Sequence, residues 1–214
     1  MSRPRHLVWD WNGTLLDDLP LVVAATNAAF ASVGGPVVTA EAHRRDFRRP
    51  VRDYYAAVLR RPVDDEEFAR LDKVFHDAYQ AGLATCRLTA DAEAALRSWT
   101  GSQSLLSMWF HTDLVPTVDR LGLSPYFARV DGLRAAVGGG PKHPHLVRHL
   151  AALRVTGAEA VLIGDTVDDA EAAAAVGARC VLYAGGFTEE RQLRATGAPV
   201  VATLTEAVAL AAEG

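Results

Sequence analysis

An α/β fold is expected for this chain: a Rossmann-like three-layer core built on a parallel sheet, interrupted by an inserted all-helical unit. Three observations predict it. The stretch His6-Leu-Val-Trp-Asp-Trp-Asn-Gly-Thr starts as an apolar strand and then runs into a carboxylate and a glycine turn. Residues 18–85 show helical spacing of apolar side chains and nothing that reads as a buried strand. From residue 86 onward, short apolar runs alternate with helical patterns, as in a parallel sheet with crossover helices. The implied division is a core of residues 1–17 and 86–214 and a helical insert of residues 18–85.

Each element follows in order. Residues 7–11 read as the first strand, with Trp9 and Trp11 as packing groups. Leu19, Val22, Val23, Phe30 and Val33 recur at helical spacing, and Gly34-Gly35-Pro36 stops that helix. Thr39 is placed to cap a short helix over 39–46. Pro50 disfavours helix at Arg49, and the pattern resumes over 51–60. Asp64 or Asp65 opens a longer helix with Phe68, Leu71 and Phe75 on one face. Beyond Cys86 come a helix over 90–99, a turn at Gly101, a strand Ser104–Met108 and a helix Asp113–Leu121. A short strand over 127–131 and a glycine loop Ala136–Pro141 follow, and then a helix with Leu146, Leu150 and Leu153 on one face. Ala160–Ile163 is a strand, and the alanine-rich helix Ala170–Val176 ends at Gly177. Strand Val181–Tyr183, helix Glu189–Ala195, strand Val200–Val201 and helix Thr203–Ala212 complete the chain.

Composition narrows the partners. The 214 residues suit one sizeable α/β domain with an insertion, and half of them are hydrophobic, enough for a core. A net charge of −4 argues against a nucleic-acid binder, which needs a basic excess. Cys86 and Cys180 lack metal-ligand spacing and read as reduced core residues. The basic N-terminus lacks the apolar run of a signal peptide, and no stretch approaches the ~20 apolar residues of a membrane span. A cytoplasmic monomer or homodimer is expected.

Four patches carry chemistry. Asp10, at the carboxyl end of the first strand, sits where open α/β sheets bind ligands. It is either a carboxylate nucleophile or an acidic turn cap. Gly13 lets the backbone turn tightly under a phosphate, and Thr14 offers a hydroxyl. The hydroxyl of Ser107 and the N–H of Met108 can bind a phosphoryl oxygen, although a serine at a strand end is also a common turn former. Lys142, between the glycine loop and a helix, either neutralises transition-state charge or is solvated. Gly164-Asp165-Thr-Val-Asp-Asp169 places Asp165 and Asp169 four apart at a helix start. The pair either faces one Mg²⁺ or complements the helix dipole; Asp168 and Glu171 read as solvated.

The order of these patches resembles the four motifs of the haloacid dehalogenase-like superfamily, whose members are mostly phosphatases. The insert resembles the helical C1 cap of the phosphoglycolate phosphatase-like branch, as does the tail Gly186-Phe-Thr-Glu…Leu193…Gly197-Ala-Pro-Val-Val201. The resemblance implies a Mg²⁺-dependent hydrolase of a small phosphorylated metabolite, acting through an aspartyl-phosphate on Asp10. It implies that Asp10, Asp165 and the backbone carbonyl of Asn12 bind Mg²⁺, with Asp169 supporting them through Lys142 or a water. In phosphatases of this superfamily a second Asp stands where Asn12 stands, and exchanges a proton with the leaving group and the attacking water. Asn12 cannot do so, and such help is typically worth ~10²–10⁴-fold. The remaining routes are substrates with good leaving groups, a proton from His43 or His111, phosphoryl transfer to another acceptor, or phosphate binding without turnover. A metal-independent carbon–halogen hydrolase is disfavoured by the Asp165–Asp169 pair. In the basic cluster 44–49, one of Arg45, Arg48 or Arg49 is expected to bind an anionic group of the substrate, the alternative being a solvated helix end.

Overall fold

The computed structural model describes residues 5–135 and 137–213, so Ala136, the first residue of the expected glycine loop, lies outside the described residues. The chain begins with β1 (His6–Trp9) and a short β2 (Leu16–Asp17). Four helices follow without a strand between them: α1 (Leu19–Ala31), α2 (Ala40–Asp46), α3 (Val51–Leu59) and α4 (Asp65–Gly82). Local chemistry sets their starts. The Thr39 hydroxyl accepts from Ala42 N–H ahead of α2, and the Asp64 carboxylate accepts from Glu67 N–H ahead of α4. Then come β3 (Arg87–Leu88), α5 (Ala92–Ser98), β4 (Ser102–Phe110), α6 (His111–Arg120), β5 (Val130–Leu133) and α7 (His143–Leu153). The chain ends with β6 (Ala160–Gly164), α8 (Val167–Ala175), β7 (Arg179–Tyr183), α9 (Glu190–Ala195), β8 (Val200–Val201) and α10 (Leu204–Ala212).

Six strands form one sheet in the order β5-β4-β1-β6-β7-β8, and every pairing in it is parallel. Helices cover both faces, so the central strands are buried on both sides and read as unbroken apolar runs. Trp9 of β1 stands opposite Leu105 of β4 and Ile163 of β6. From β1 the chain proceeds to β4 and β5 on one side, then crosses back to β6 on the other. The reversal leaves a crevice beyond the end of β1, above Asp10.

Two features differ from the sequence expectation. β2 and β3 form an antiparallel ribbon, Leu16 opposite Leu88 and Asp17 opposite Arg87. Two residues per strand are too few to show a period, so the ribbon was invisible in sequence. Cys86 and Cys180 are free, as expected, but only half-buried at the edges of apolar clusters. α1 packs on α4, and the helical insert has its own apolar cluster around Phe30, Tyr54, Tyr55, Phe68 and Leu71. Trp9 and Trp11 are both fully buried in the main core.

A chain of polar side chains crosses that core. The Ser104 hydroxyl lies 2.7 Å from His6 Nε2 and 2.8 Å from His149 Nε2, and His149 Nδ1 lies 2.8 Å from Asp131. It ties β1, β4, α7 and β5 together. Burial, with His149 nearby, lowers the pKa of His6 from 6.5 to about 4. Between those values the unfolded chain binds a proton that the folded chain refuses. Stability from this site is therefore full above pH 6.5 and falls as pH drops toward 4. The expected loss from His6 alone at pH 5 is about 2 kcal/mol. Other buried groups titrate in the same window, so the check is the comparison: the change in urea stability between pH 7 and pH 5 should differ between the wild type and His6→Gln by that amount.

Candidate active site

The turn after β1 is held by backbone bonds. Asp10 N–H donates to Ile163 O at 2.8 Å, which pins the start of the turn to β6. Leu16 N–H reaches back to Trp11 O at 2.9 Å. Gly13 adopts φ +73°, and a Cβ there would lie 2.5 Å from Asp165 Oδ2 and 2.9 Å from Phe187. Only glycine satisfies both the positive φ and the close approach.

Three carboxylates and one ammonium meet at this turn. Lys142 Nζ lies 2.7 Å from Asp10 Oδ1 and also bonds Asp169 Oδ1. Asp165 accepts from the Thr14 hydroxyl at 2.7 Å and from Phe187 N–H at 2.7 Å. All four charged groups are buried. Asp10, Asp165 and Asp169 each offer an oxygen within 4.8 Å of the others. Burial, partly offset by Lys142, raises the pKa of Asp10 to about 6. Burial and the charges of Asp10 and Asp169 raise that of Asp165 well above the usual carboxylate range. Burial would also raise Asp169, but Lys142 and Thr166 outweigh it and hold that carboxyl low. Asp169 also closes a capping box with Thr166 at the start of α8.

Asn12 stands beside Asp10 with its amide fully engaged. Nδ2 donates to Asp18 Oδ2 at 2.7 Å and to Tyr79 Oη at 2.9 Å, while Oδ1 accepts from Ser107 Oγ at 3.1 Å. Asp18 is fully buried. Burial raises its pKa to about 6, against the hydrogen bonds from Asn12, Tyr79 and Gly13.

The remaining predicted residues divide. Thr14 is completely buried and its hydroxyl donates to Asp165, so in this structure it holds a carboxylate. Asp168 is not solvated: it accepts from Lys142 N–H at 3.0 Å and pairs with Arg49 at 3.6 Å, because α2–α3 fold over this edge of the core. Glu171 is exposed, as expected. Of the three arginines, Arg49 lines a cleft of about 90 Å³ that also exposes Asn12 and Met108. Arg48 is not among its lining residues; its guanidinium donates to Asp46 O and Asp53 O. Arg45 pairs with the neighbouring Asp46. His43 lines the cavity, whereas His111 does not and contacts Gly132 and Arg134 instead.

Sequence reading missed Asp18, Asp72, His76, Tyr79 and Phe187. Tyr79 and Phe187 line the cavity together with the Asp72–His76 pair of α4. The i,i+4 spacing of Asp72 and His76 was a usable signal for a shared helix face. The Asp165–Phe187 bond was not, since 22 residues separate the partners.

A carboxylate at the switch point of a parallel sheet, backed by a buried lysine and two further carboxylates, marks the end of β1 as the candidate active site of an α/β protein. The haloacid dehalogenase-like hydrolase family model matches residues 4–177, and the chain belongs to that family. It falls among the family's phosphatases. It is 30% identical over 200 residues to a phosphoglycolate phosphatase of Caulobacter vibrioides, covering 86% of this chain and 81% of that protein. It is 26% identical over 204 residues to phosphoglycolate phosphatase 1 of Pseudomonas aeruginosa, covering 89% and 73%. In fold it is similar to a predicted phosphatase from Clostridium acetobutylicum, with TM-score 0.87, 17% identity and 98% of each chain covered. It is also similar to a haloacid dehalogenase-like family protein from Streptococcus pneumoniae, with TM-score 0.83, 18% identity and coverage of 98% and 99%. Among the described residues, no helix is long and apolar enough to cross a membrane.

Lys142→Met should leave two buried carboxylates, Asp10 and Asp169, without their ammonium. A loss of about 3–5 kcal/mol is expected from removing one partner of a buried pair. Denaturant unfolding at pH 7 checks this, and a loss below about 1 kcal/mol would contradict it.

Proposed function

We propose that the chain is a Mg²⁺-dependent phosphomonoester hydrolase acting on a small phosphorylated metabolite. The observation that carries this reading is Asp10, held by Lys142 at 2.7 Å at the sheet's switch point with Asp165 beside it. The donor set fits the metal. Three buried carboxylates cluster where a single ammonium, Lys142, pairs with two of them, and the surplus negative charge with all-oxygen ligands suits Mg²⁺. Asp10, Asp165 and the Asn12 carbonyl would hold it, with Asp169 fixing Lys142. Bound there, Mg²⁺ would screen the phosphoryl oxygens from the attacking carboxylate.

In the first step, an Asp10 oxygen attacks phosphorus and the ester P–O bond breaks; the leaving oxygen departs as an oxyanion and takes its proton from solvent. In the second, water attacks the aspartyl-phosphate, the bond from Asp10 to phosphorus breaks, and the water's proton leaves on the released phosphate, freeing the Asp10 carboxylate. Lys142 offsets the charge that grows on the transferring group. Asn12 exchanges no proton in either step. Substrates with good leaving groups therefore react fastest. The helical insert acts as a cap that keeps bulk water from the cavity. Arg49 provides a cation in the cavity lining, and His43, its pKa lowered to about 4 by burial, is neutral there. The relatives' names make 2-phosphoglycolate the first natural substrate to assay.

The test is turnover of p-nitrophenyl phosphate, 2-phosphoglycolate and a panel of sugar and nucleotide phosphates, with Mg²⁺ and with EDTA. Turnover should need Mg²⁺ and should fall by about 10³-fold or more in Asp10→Asn. p-Nitrophenyl phosphate should exceed the alkyl phosphates in kcat. Phosphate binding without turnover of any substrate would overturn hydrolysis in favour of a binding role.

A further inference from the structure

Asp18 stands where the chain leaves the core for the helical insert, one residue before α1. Its two oxygens serve different segments. Oδ1 accepts from Gly13 N–H at 2.8 Å. Oδ2 accepts from Asn12 Nδ2 at 2.7 Å and from the Tyr79 hydroxyl at 2.7 Å. Tyr79 also accepts from Asn12 Nδ2 at 2.9 Å. Both N–H groups of the Asn12 amide are thus consumed, and its oxygen is turned to Ser107 Oγ. Donors from the turn, from α4 and from β4 converge on a buried carboxylate and an amide, and each donor finds an acceptor.

We propose that Asp18 is a positioning residue for chemistry at Asp10: with Tyr79 it locks the Asn12 amide and the Gly13 turn, so that the amide at 12 and the carboxylate at 18 form a matched pair. This rests on the phosphohydrolase reading for its kinetic part only. The two positions must then change together. Asn12→Asp alone puts two carboxylates face to face at the 2.7 Å now spanned by a hydrogen bond. Asp18→Asn alone leaves one oxygen to serve Gly13, Asn12 and Tyr79, and turns an amide donor toward another donor. Making both exchanges, Asn12→Asp with Asp18→Asn, restores the count. The carboxylate then at position 12 would accept from the amide at position 18, from Tyr79 and from Ser107, and the amide oxygen at position 18 would accept from Gly13.

The experiment is a mutant cycle on the full chain, read by thermal melting without substrate and by steady-state turnover of p-nitrophenyl phosphate in Mg²⁺. Each single variant should melt roughly 5 °C or more below the wild type. Each should lose about tenfold in kcat with KM within about twofold, the mark of a misplaced reacting loop. The double variant should regain the wild-type melting temperature and at least the wild-type kcat. Tyr79→Phe, a milder change that keeps the ring packing, should lower kcat without raising KM. Asn12→Asp as stable and as fast as the wild type would overturn the proposal. So would a double variant no better than the worse single one, or an unchanged kcat in Tyr79→Phe. If the wild type shows no metal-dependent turnover, the phosphohydrolase reading fails, while the melting cycle still decides the pair.

Discussion

Lys142 is the ammonium that pairs with two carboxylates, Asp10 and Asp169, in the interior of this molecule, and its position constrains everything around it. A lone buried charge would be prohibitive, so the pairings with Asp10 and Asp169 must be geometrically good. That requires the ends of β1 and β6 and the starts of α7 and α8 to meet at one point. The parallel sheet brings the strand ends together. The capping box of α8 fixes Asp169, and the N–H of Lys142 donates to Asp168, tying the start of α7 to the first turn of α8. Glycine is required at 13 for the same reason: the turn passes too close to Asp165 for any side chain.

The helical insert meets this point through few polar contacts and many aromatic ones. Arg44 donates to the carbonyls of Gly185 and Gly186, next to the Phe187 N–H that holds Asp165. The glycine loop answers from the other side, with Gly139 O accepting from Val51 N–H and Gly138 N–H donating to Asp72. Between these latches, His43, Phe47, Tyr54 and Phe187 stack edge to face and wall the cavity. Asn12 is the residue of the β1 turn that this aromatic-walled cavity exposes, with Arg49, Asp72 and His76 among its charged or titratable lining.

The fold was largely legible because its signals are local. Apolar runs, breakers such as Gly34-Gly35-Pro36, and capping residues such as Thr39 and Asp64 each act within a few positions. Asp10, Lys142, Asp165 and Asp169 were legible too, because each lies at the end of a recognisable strand or loop or in the first turn of the helix that follows. What failed were assignments that depended on who faces whom. Thr14 looked available to substrate but is claimed by Asp165, and Asp168 looked solvated but is covered by Arg49. The polar chain from His6 to Asp131 went unseen, because no local pattern signals that two histidines will share one serine.

The sequence by itself determined the parallel α/β class, the strandless insert, and the identity and order of Asp10, Ser107, Lys142, Asp165 and Asp169. It could do so because periodicity and turn chemistry are properties of neighbouring residues. Only the tertiary structure decided which hydroxyl serves a carboxylate, which arginine enters the cavity, and that Asn12 is bound to Asp18 and Tyr79. Tyr79 lies 67 residues from Asn12, and its approach follows from α4 packing on α1. Such contacts are set by the packing of whole elements, which no short stretch of sequence encodes.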